Sequence, residues 1–410
     1  MRKNSISRLL NQISSDNNYL VLVFALLMTS SAWSFFLTSV SIFLISGFAI
    51  YHFVWKRSNS SSNFKKYFPY ACVSSLFFLT VVSGLWSENL HDYFTAIRVK
   101  APIFVLPLGI YFLPQISLKQ FYQIFTILII FLGCYGLFII FDYSLHSKEY
   151  IRLLYLGQPV PHIRDHVRFT ILCAFAFIIG LIILEKKVLN LSLQRIYYTA
   201  LTLIFIALHI ISARSGLFIL YASLVVYVIR LAILRKQYLK YLAVLLILSI
   251  IPVIAFFTID SFHQKINYVI WDRQMQSQGN SKTYSDGERW ISNDIGLKIL
   301  GENKILGTGA GDFWTEIQKK YALISPELDA KMPHNQFIVV AASFGIFGLL
   351  VFSSAFLFNV FQKLKNVNDI KYFFYLNMFL AFCFDIPLEA EFGIVFYAFF
   401  ASLLIKTDYE

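Results

Sequence analysis

The stretch YYTALTLIFIALHIISARSGLFILYASLVVYVI, Tyr197–Ile229, determines the fold class of this chain. It is largely apolar on both sides of a short interruption, SARSG, at Ser212–Gly216. The stretch has about 33 residues, whereas one helix that crosses a bilayer needs about 20. The chain must therefore turn at SARSG. The stretch predicts two membrane-spanning helices joined by a tight hairpin that carries Arg214.

Similar apolar runs recur along nearly the whole chain of 410 residues, of which 58% are hydrophobic and only 14% are charged. The runs are continuous rather than alternating, which favours helices over a transmembrane β-barrel. We predict an all-α polytopic membrane protein with about 12 transmembrane helices. The predicted spans are Tyr19–Trp33, Phe35–Val54, Ala71–Trp86, Ala101–Leu113, Phe121–Phe141, Phe169–Leu184, Tyr197–Ile211, Leu217–Ile229, Tyr241–Phe257, Phe337–Phe358, Tyr372–Phe384 and Phe392–Ile405.

The order of these runs divides the chain into three parts. Residues 1–257 hold the first nine predicted helices with short loops, 258–336 form one long loop, and 337–410 hold the last three helices and a short tail. The long loop contains three tryptophans and the segment ERWISNDIGLKIL, in which apolar residues recur at helical spacing. We therefore expect a folded, helical loop.

Lysines and arginines are concentrated in alternate connections, such as Lys186–Arg195 and Arg230–Lys240. Short loops rich in these residues face the cytoplasm. Both termini are then cytoplasmic, and the long loop faces outward. The net charge of +12 is mainly a signal of this topology, so no nucleic-acid partner is expected. The four cysteines all lie in apolar runs, which argues against a disulfide framework.

Two arginines on the outward side are candidates for function. Arg214 lies in the hairpin at the membrane edge, where a charge close to hydrocarbon is costly and is often functional. The alternative is that its side chain only reaches toward the lipid headgroups. Arg289 lies in SDGERW, near the start of the predicted loop helix. Its acidic neighbours, Asp286 and Glu288, offer an alternative explanation, because they could simply pair with it.

A third candidate lies in KMPHNQFIVVAASFGIFGLL, Lys331–Leu350. Pro333 suits the first turn of a helix, where its missing N–H has no cost. His334 and Asn335 are then expected at the outer interface, at the start of the tenth predicted span. A histidine there can also serve only as a cap or interfacial residue.

The segment GTGAGDF, Gly307–Phe313, has three glycines at alternate positions. Its spacing differs from that of dinucleotide-binding loops, and no strand precedes it. A flexible turn before a helix capped by Asp312 is the better interpretation. No outward cluster of His, Cys, Asp or Glu has the spacing of metal ligands. We expect neither a metal nor another cofactor.

Taken in order, the hairpin arginine, GERW followed by IGLKIL, ILGTGAGDF and PHNQFIVVAASFGIFGLL resemble the O-antigen ligase superfamily. This superfamily includes lipopolysaccharide O-antigen ligases and O-antigen polymerases. The resemblance implies a GT-C-like glycosyltransferase of the bacterial inner membrane, surrounded by membrane lipids, with its active site facing the periplasm. It also implies a glycan donor on undecaprenyl diphosphate and, for a ligase, lipid A–core oligosaccharide as the acceptor.

The resemblance assigns roles to individual residues. Arg214 and Arg289 match the arginines that contact the diphosphate, and His334 matches the family's histidine. An arginine offers a planar fork of donors to phosphate, and an imidazole suits proton transfer from a sugar hydroxyl. Asn335 is expected to bind substrate beside His334. The segment HIRDHVRF adds Arg164 and Arg168, because O-antigen polymerases use basic outer loops to hold anionic glycan.

Two other functions stay open. An O-antigen polymerase would use the same donor and differ only in its acceptor. A flippase or other transporter of lipid-linked glycan is less favoured, since the sequence has no related halves and its notable charges lie at the membrane edge rather than at the midplane.

Overall fold

The computed structural model describes residues 18–54, 64–155, 158, 165–277, 285–324, 326 and 328–408. Within these ranges the chain forms sixteen α-helices, one short 3-10 helix at Pro387–Glu389 and no β-strand. The α-helices are α1 (Asn18–Ser31), α2 (Phe35–Val54), α3 (Phe64–Val73), α4 (Ser75–Ser83), α5 (Leu90–Phe112), α6 (Leu118–Tyr155), α7 (His166–Glu185), α8 (Leu191–Ile211), α9 (Arg214–Arg235), α10 (Tyr238–Thr258), α11 (Asp260–Ser277), α12 (Ser285–Glu302), α13 (Phe313–Ile324), α14 (Gln336–Phe361), α15 (Asn368–Phe384) and α16 (Glu391–Asp408).

The prediction of an all-α polytopic membrane protein is confirmed. Among the described helices, eight are long and apolar enough to cross a membrane, or nine if the pair α3–α4, bent by 66°, forms one span. The remaining apolar helices, α1, α15 and α16, are shorter or carry more charge. Each predicted apolar segment falls largely within a helix, but length and composition alone support fewer complete spans than the sequence suggested.

The hairpin predicted at SARSG is present. Helix α8 ends at Ile211, Ser212 adopts a left-handed conformation with φ 53°, and α9 begins at Arg214. Helix α8 also packs closely against α6 through two glycines. A Cβ at Gly133 would lie 2.7 Å from the Cβ of Ala200, and a Cβ at Gly136 would lie 3.0 Å from a backbone oxygen of α8. Small residues at such contacts let helix backbones approach within lipid.

Helices α11–α13 lie in the segment between α10 and α14, and we call the side of the bundle on which they lie the loop end. An ion-pair network joins the helices at the opposite end. Arg230 of α9 donates to Glu185 at the end of α7 at 2.9 Å, and to Asp369 at the start of α15 at 2.7 Å. Thus α7 and α9 run from the loop end to the opposite end, and α15 returns.

Helix α14 is broken at Gly345, which has φ 68° and ψ −172°. Glycine alone readily adopts this conformation. A break within lipid leaves backbone groups that must find partners elsewhere in the protein. Here the N–H groups of Thr308 and Gly309 donate to the carbonyls of Ala342 and Ser343, at 3.1 and 2.8 Å.

The same segment also accepts hydrogen bonds from the second half of α14. The N–H groups of Ile346 and Phe347 donate to the carbonyls of Lys304 and Ile305, at 2.8 and 3.4 Å. Residues 304–309 therefore replace, from outside the helix, backbone hydrogen bonds that α14 loses at its break.

We call Gly307–Gly311 the glycine turn. A Cβ at Gly307 would lie 2.4 Å from the backbone nitrogen of Phe344, so only glycine permits this approach. On its other side, Ala310 and Gly311 donate to the hydroxyls of Ser83 and Ser87, at 3.1 and 3.2 Å. The expectation of a flexible turn was wrong, because hydrogen bonds hold the turn on both sides.

Asp312 directly precedes α13, as expected of its cap residue, and its carbonyl accepts from the N–H of Glu316 at 2.9 Å. Its carboxylate accepts hydrogen bonds from the N–H groups of Glu88 and Asn89, at 2.9 and 2.8 Å. These groups precede α5, and Asn89 is the N-cap of that helix. Asp312 therefore attaches the long loop to the start of α5.

The break predicts a specific sensitivity to substitution. Gly345→Ala should lower the melting temperature of the purified protein in detergent by several degrees. An added Cβ would lie 2.0 Å from the carbonyl oxygen of Ile305, and the backbone conformation itself would cost about 1–3 kcal/mol. Gly47→Ala in α2 is the matched control, because its Cβ would meet nothing within 4 Å. If Gly345→Ala melts at the same temperature as Gly47→Ala, the break is not required for stability.

Candidate active site

Four segments converge at the loop end of the bundle. They are the start of α7, the start of α12, the segment Lys331–Asn335 that leads into α14, and the turn Asp385–Glu389 between α15 and α16. Each contributes charged or polar side chains, so the cluster joins parts of the chain far apart in sequence.

Arg168 in the first turn of α7 links two of these segments. It donates to Asp165 at 2.7 Å and to the backbone carbonyl of Ile386 at 3.0 Å. Its guanidinium also lies 3.7 Å from a carboxylate oxygen of Asp385. Asp165 itself caps α7 by accepting from the backbone of Arg168 at 3.1 Å. The protein thus engages Arg168 on two sides, which favours a role in holding the 385–389 turn.

Asp385 is a buried acid at the centre of the cluster. Burial raises the pKa of this carboxyl, and the nearby positive charge of Arg168 opposes the shift. One oxygen, Oδ2, is buried without a hydrogen-bond partner among the described residues. Asp385 is therefore a second group that can accept or hold a proton in the cluster.

His334 lies in an electropositive environment. The pKa of its imidazole is lowered to about 4, mainly by burial and in addition by the positive charges of Arg289 and Lys331, which the negative charge of Glu288 only partly offsets. Its Nδ1 atom is buried and has no hydrogen-bond partner among the residues described. At neutral pH the ring is uncharged, so it can accept a proton.

Arg289 acts electrostatically on both His334 and Asp385, which places it within the cluster. Glu288, one of the acids that could have paired with Arg289, binds Lys331. This contact connects the start of α12 to the segment that carries His334. The side chain of Asp286, the other acid, lies outside the described residues.

Asn335 holds the start of α14. Its Oδ1 accepts from the N–H groups of Phe337 and Ile338, at 2.9 and 3.2 Å, as an N-cap does. Its Nδ2 donates to the carbonyl of Cys383 at 3.2 Å. The side chain predicted to bind substrate is thus used for orientation, because it fixes the residue next to His334 against the end of α15.

A buried ion pair that the sequence analysis did not anticipate lies next to this cap. Lys100 of α5 is only 6% exposed and lies 2.6 Å from Glu389. The other oxygen of Glu389 accepts from Gln336 at 3.0 Å, and the Gln336 side chain accepts from the N–H of Leu388 at 3.0 Å. This network joins α5, α14 and the 385–389 turn.

Two contacts place Arg214 at the same end. A Cβ at Gly216 would lie 2.2 Å from the hydroxyl of Thr170, so the start of α9 packs tightly on the first turns of α7. Phe218, one turn after Arg214, packs against Phe384 with ring centroids 4.9 Å apart. The backbone of Arg214 therefore lies beside the segments that carry Arg168 and Asp385. Arg164, also predicted to bind substrate, lies outside the described residues.

The cluster combines several fixed cations with two proton-accepting groups. Such a set can bind an anion and take a proton from a hydroxyl held beside it. Among the described residues, no group of three or more His, Cys, Asp or Glu side chains could hold a metal ion. Lys100 gave no local signal of its role, because its partner Glu389 lies in another segment.

Comparison with known families bears on these same segments. A family model described as O-Antigen ligase, Wzy_C, matches residues 199–353. The match begins in α8, includes Arg214, Arg289 and His334, and ends in α14 beyond the break. A comparison with curated proteins finds no match. Through this region the chain is similar to the O-antigen ligase family, and the match supports an O-antigen ligase-like protein.

Proposed function

We propose that this protein is a glycosyltransferase that moves a glycan from undecaprenyl diphosphate to the lipid A–core oligosaccharide. The reaction would take place on the periplasmic side of the bacterial inner membrane, with both termini in the cytoplasm. The glycosidic bond to the diphosphate breaks, a bond to an acceptor hydroxyl forms, and the diphosphate leaves on its lipid. The hydroxyl proton must pass to a base.

The cationic side chains support this proposal. Arg289 and Arg214 would bind the diphosphate, since a guanidinium stays charged and donates two parallel hydrogen bonds to phosphate oxygens. Such donors stabilise the negative charge that develops as the glycosidic bond breaks. They can do so without a metal. Arg168 would act indirectly, because its contacts with Asp165 and Ile386 fix the turn that carries Asp385.

The environment of His334 is the observation that carries the proposal. An uncharged imidazole lies in the field of Arg289 and Lys331, with Nδ1 buried and unpaired among the described residues. An anionic diphosphate beside Arg289 would offset that positive field. The pKa of His334 would then rise toward neutral, where a general base works best. Donor binding would thereby strengthen the base at the moment it is needed.

The glycolipids of a deletion strain test the reaction. For the proposed ligase, lipid A–core should lose all polymer, and polymer should accumulate on undecaprenyl diphosphate. A core that still carries a single repeat unit would identify a polymerase, and donor trapped on the cytoplasmic face would identify a flippase. Either result would overturn the proposal.

Substitutions should separate donor binding from proton transfer. Arg289→Lys and Arg214→Lys should weaken donor binding about tenfold or more, because charge-assisted hydrogen bonds contribute roughly 1.5–3 kcal/mol each and lysine cannot form the paired contact. His334→Ala should keep donor affinity but lower kcat by about 10²–10⁴-fold. Donor affinity and turnover are measured on purified variants that insert normally.

The exposed Arg273 of α11 provides the matched control, and Arg273→Lys should change neither quantity. If His334→Ala loses donor affinity as fully as the arginine variants, the histidine is a diphosphate ligand. If Arg214→Lys binds and turns over like the parent, that arginine is only an interfacial residue.

The pH dependence should reveal the effect of the donor on His334. The base must be uncharged, so activity falls as the pH drops through its pKa. The acid limb of kcat/KM, which reports the free enzyme, should lie near the free pKa of about 4. The acid limb of kcat, which reports the complex with donor, should lie at higher pH. Lys331→Gln should move the free-enzyme limb upward, because it removes a positive charge. Coincident limbs for the parent would contradict the proposed contact between donor and Arg289.

A further inference from the structure

A cavity lies beside the Gln336–Glu389 contact, and Glu389 is part of its wall. Its volume is about 250 Å³, and its walls come from α5, the glycine turn, α13 and the first half of α14. Met332, two residues before His334, forms part of the wall, and Glu389 forms another part. The cavity therefore adjoins the candidate active site without belonging to it.

The lining combines an aromatic face with a few polar groups. Trp314 of α13 is 36% exposed and lines the cavity together with the buried Phe313. The polar groups include Asp92, Lys100 and Glu389. Binding sites for small organic ligands have this composition, with an apolar wall that provides contact area and a few polar groups that set orientation.

The buried ion pair gives the cavity a specific chemistry. An ammonium group has three N–H donors, and Glu389 accepts one of those of Lys100. Buried charges are stabilised only when their remaining donors and acceptors are also satisfied. A ligand hydroxyl can accept from Lys100, and another can donate to the carboxylate of Asp92. Among the described residues, Oδ2 of Asp92 accepts from the amide of Asn89 at 3.0 Å.

We infer that this cavity binds one sugar ring of a glycan substrate. A pyranose ring has an apolar C–H face, which would pack on the indole of Trp314, and a rim of hydroxyls, which would bind Lys100 and Asp92. The volume of about 250 Å³ suits a single ring and is below the roughly 300–1,000 Å³ of pockets for larger ligands. The inference rests on the proposed function, because glycan transfer supplies the substrate.

The sugar could belong to the donor glycan or to the acceptor oligosaccharide, and steady-state kinetics distinguish these sources. Trp314→Ala removes the aromatic face, and Ala96→Leu fills the cavity from α5 without removing a polar group. Each variant should raise one KM roughly 5- to 10-fold while kcat changes little. A higher KM for the donor assigns the ring to the donor, and a higher KM for the acceptor assigns it to the acceptor.

Two further variants control for general damage. Trp314→Phe keeps a ring and should recover most of the lost affinity. Trp33→Ala removes another exposed tryptophan, between α1 and α2, and should leave both KM values unchanged. If Trp314→Ala and Ala96→Leu both transfer glycan with the KM values of the parent, the cavity does not bind sugar.

A binding measurement separates this inference from the proposed function. Lipid-free repeat-unit oligosaccharide and lipid-free core oligosaccharide are added in turn to the full-length protein, and binding is followed by saturation-transfer NMR. One of them should bind the parent and lose binding in Trp314→Ala and Ala96→Leu. This result would support the cavity even if the parent transferred no glycan. Binding that both variants retain, or no binding of either sugar, would overturn it.

Discussion

The backbone hydrogen bonds between residues 304–309 and the break in α14 are the interaction on which the candidate site depends. The break divides α14 into two parts, and the first part begins two residues after His334. It is stable in a membrane only because Lys304, Ile305, Thr308 and Gly309 replace the lost helical partners. The same loop continues to Asp312, which holds the start of α5. One short segment thus positions both α14 and the helix that carries Lys100.

Buried charges at the loop end are stabilised by polar partners, and these contacts also fix the positions of α14 and the 385–389 turn. Arg168 holds the 385–389 turn, and Glu389 holds both Lys100 and Gln336. A buried pair contributes little net stability, because desolvation offsets much of the attraction, but the loss of one partner is costly. Such pairs therefore discourage alternative positions of α14 and of the turn. At His334 the positive charges of Arg289 and Lys331 outweigh the negative charge of Glu288, which would suit a site that binds an anion.

The sequence predicted what depends on local pattern. Continuous apolar runs predicted the membrane helices, and the length of Tyr197–Ile229 predicted the hairpin at Arg214. The break at Gly345 could not be predicted, because its stability comes from backbone contacts with residues about 40 positions earlier. A glycine in the sequence does not indicate such contacts. The buried position of Lys100 on α5 could not be predicted either, because its partner Glu389 lies 289 residues later. The N-cap position of Asn335 is a local feature, but its contact with the carbonyl of Cys383 depends on where α15 ends and could not be predicted.

Glu389 also determines how the candidate active site and the cavity relate to each other. One of its oxygens binds Lys100 in the cavity wall, and the other binds Gln336, which follows the cap residue Asn335. A hydroxyl that accepted from Lys100 would add a partner to this ion pair without breaking it, and a fully satisfied buried network is more rigid than a partly satisfied one. The rigidity would extend through Gln336 to the start of α14. The position of a sugar ring in the cavity and the position of His334 would therefore both depend on the same carboxylate.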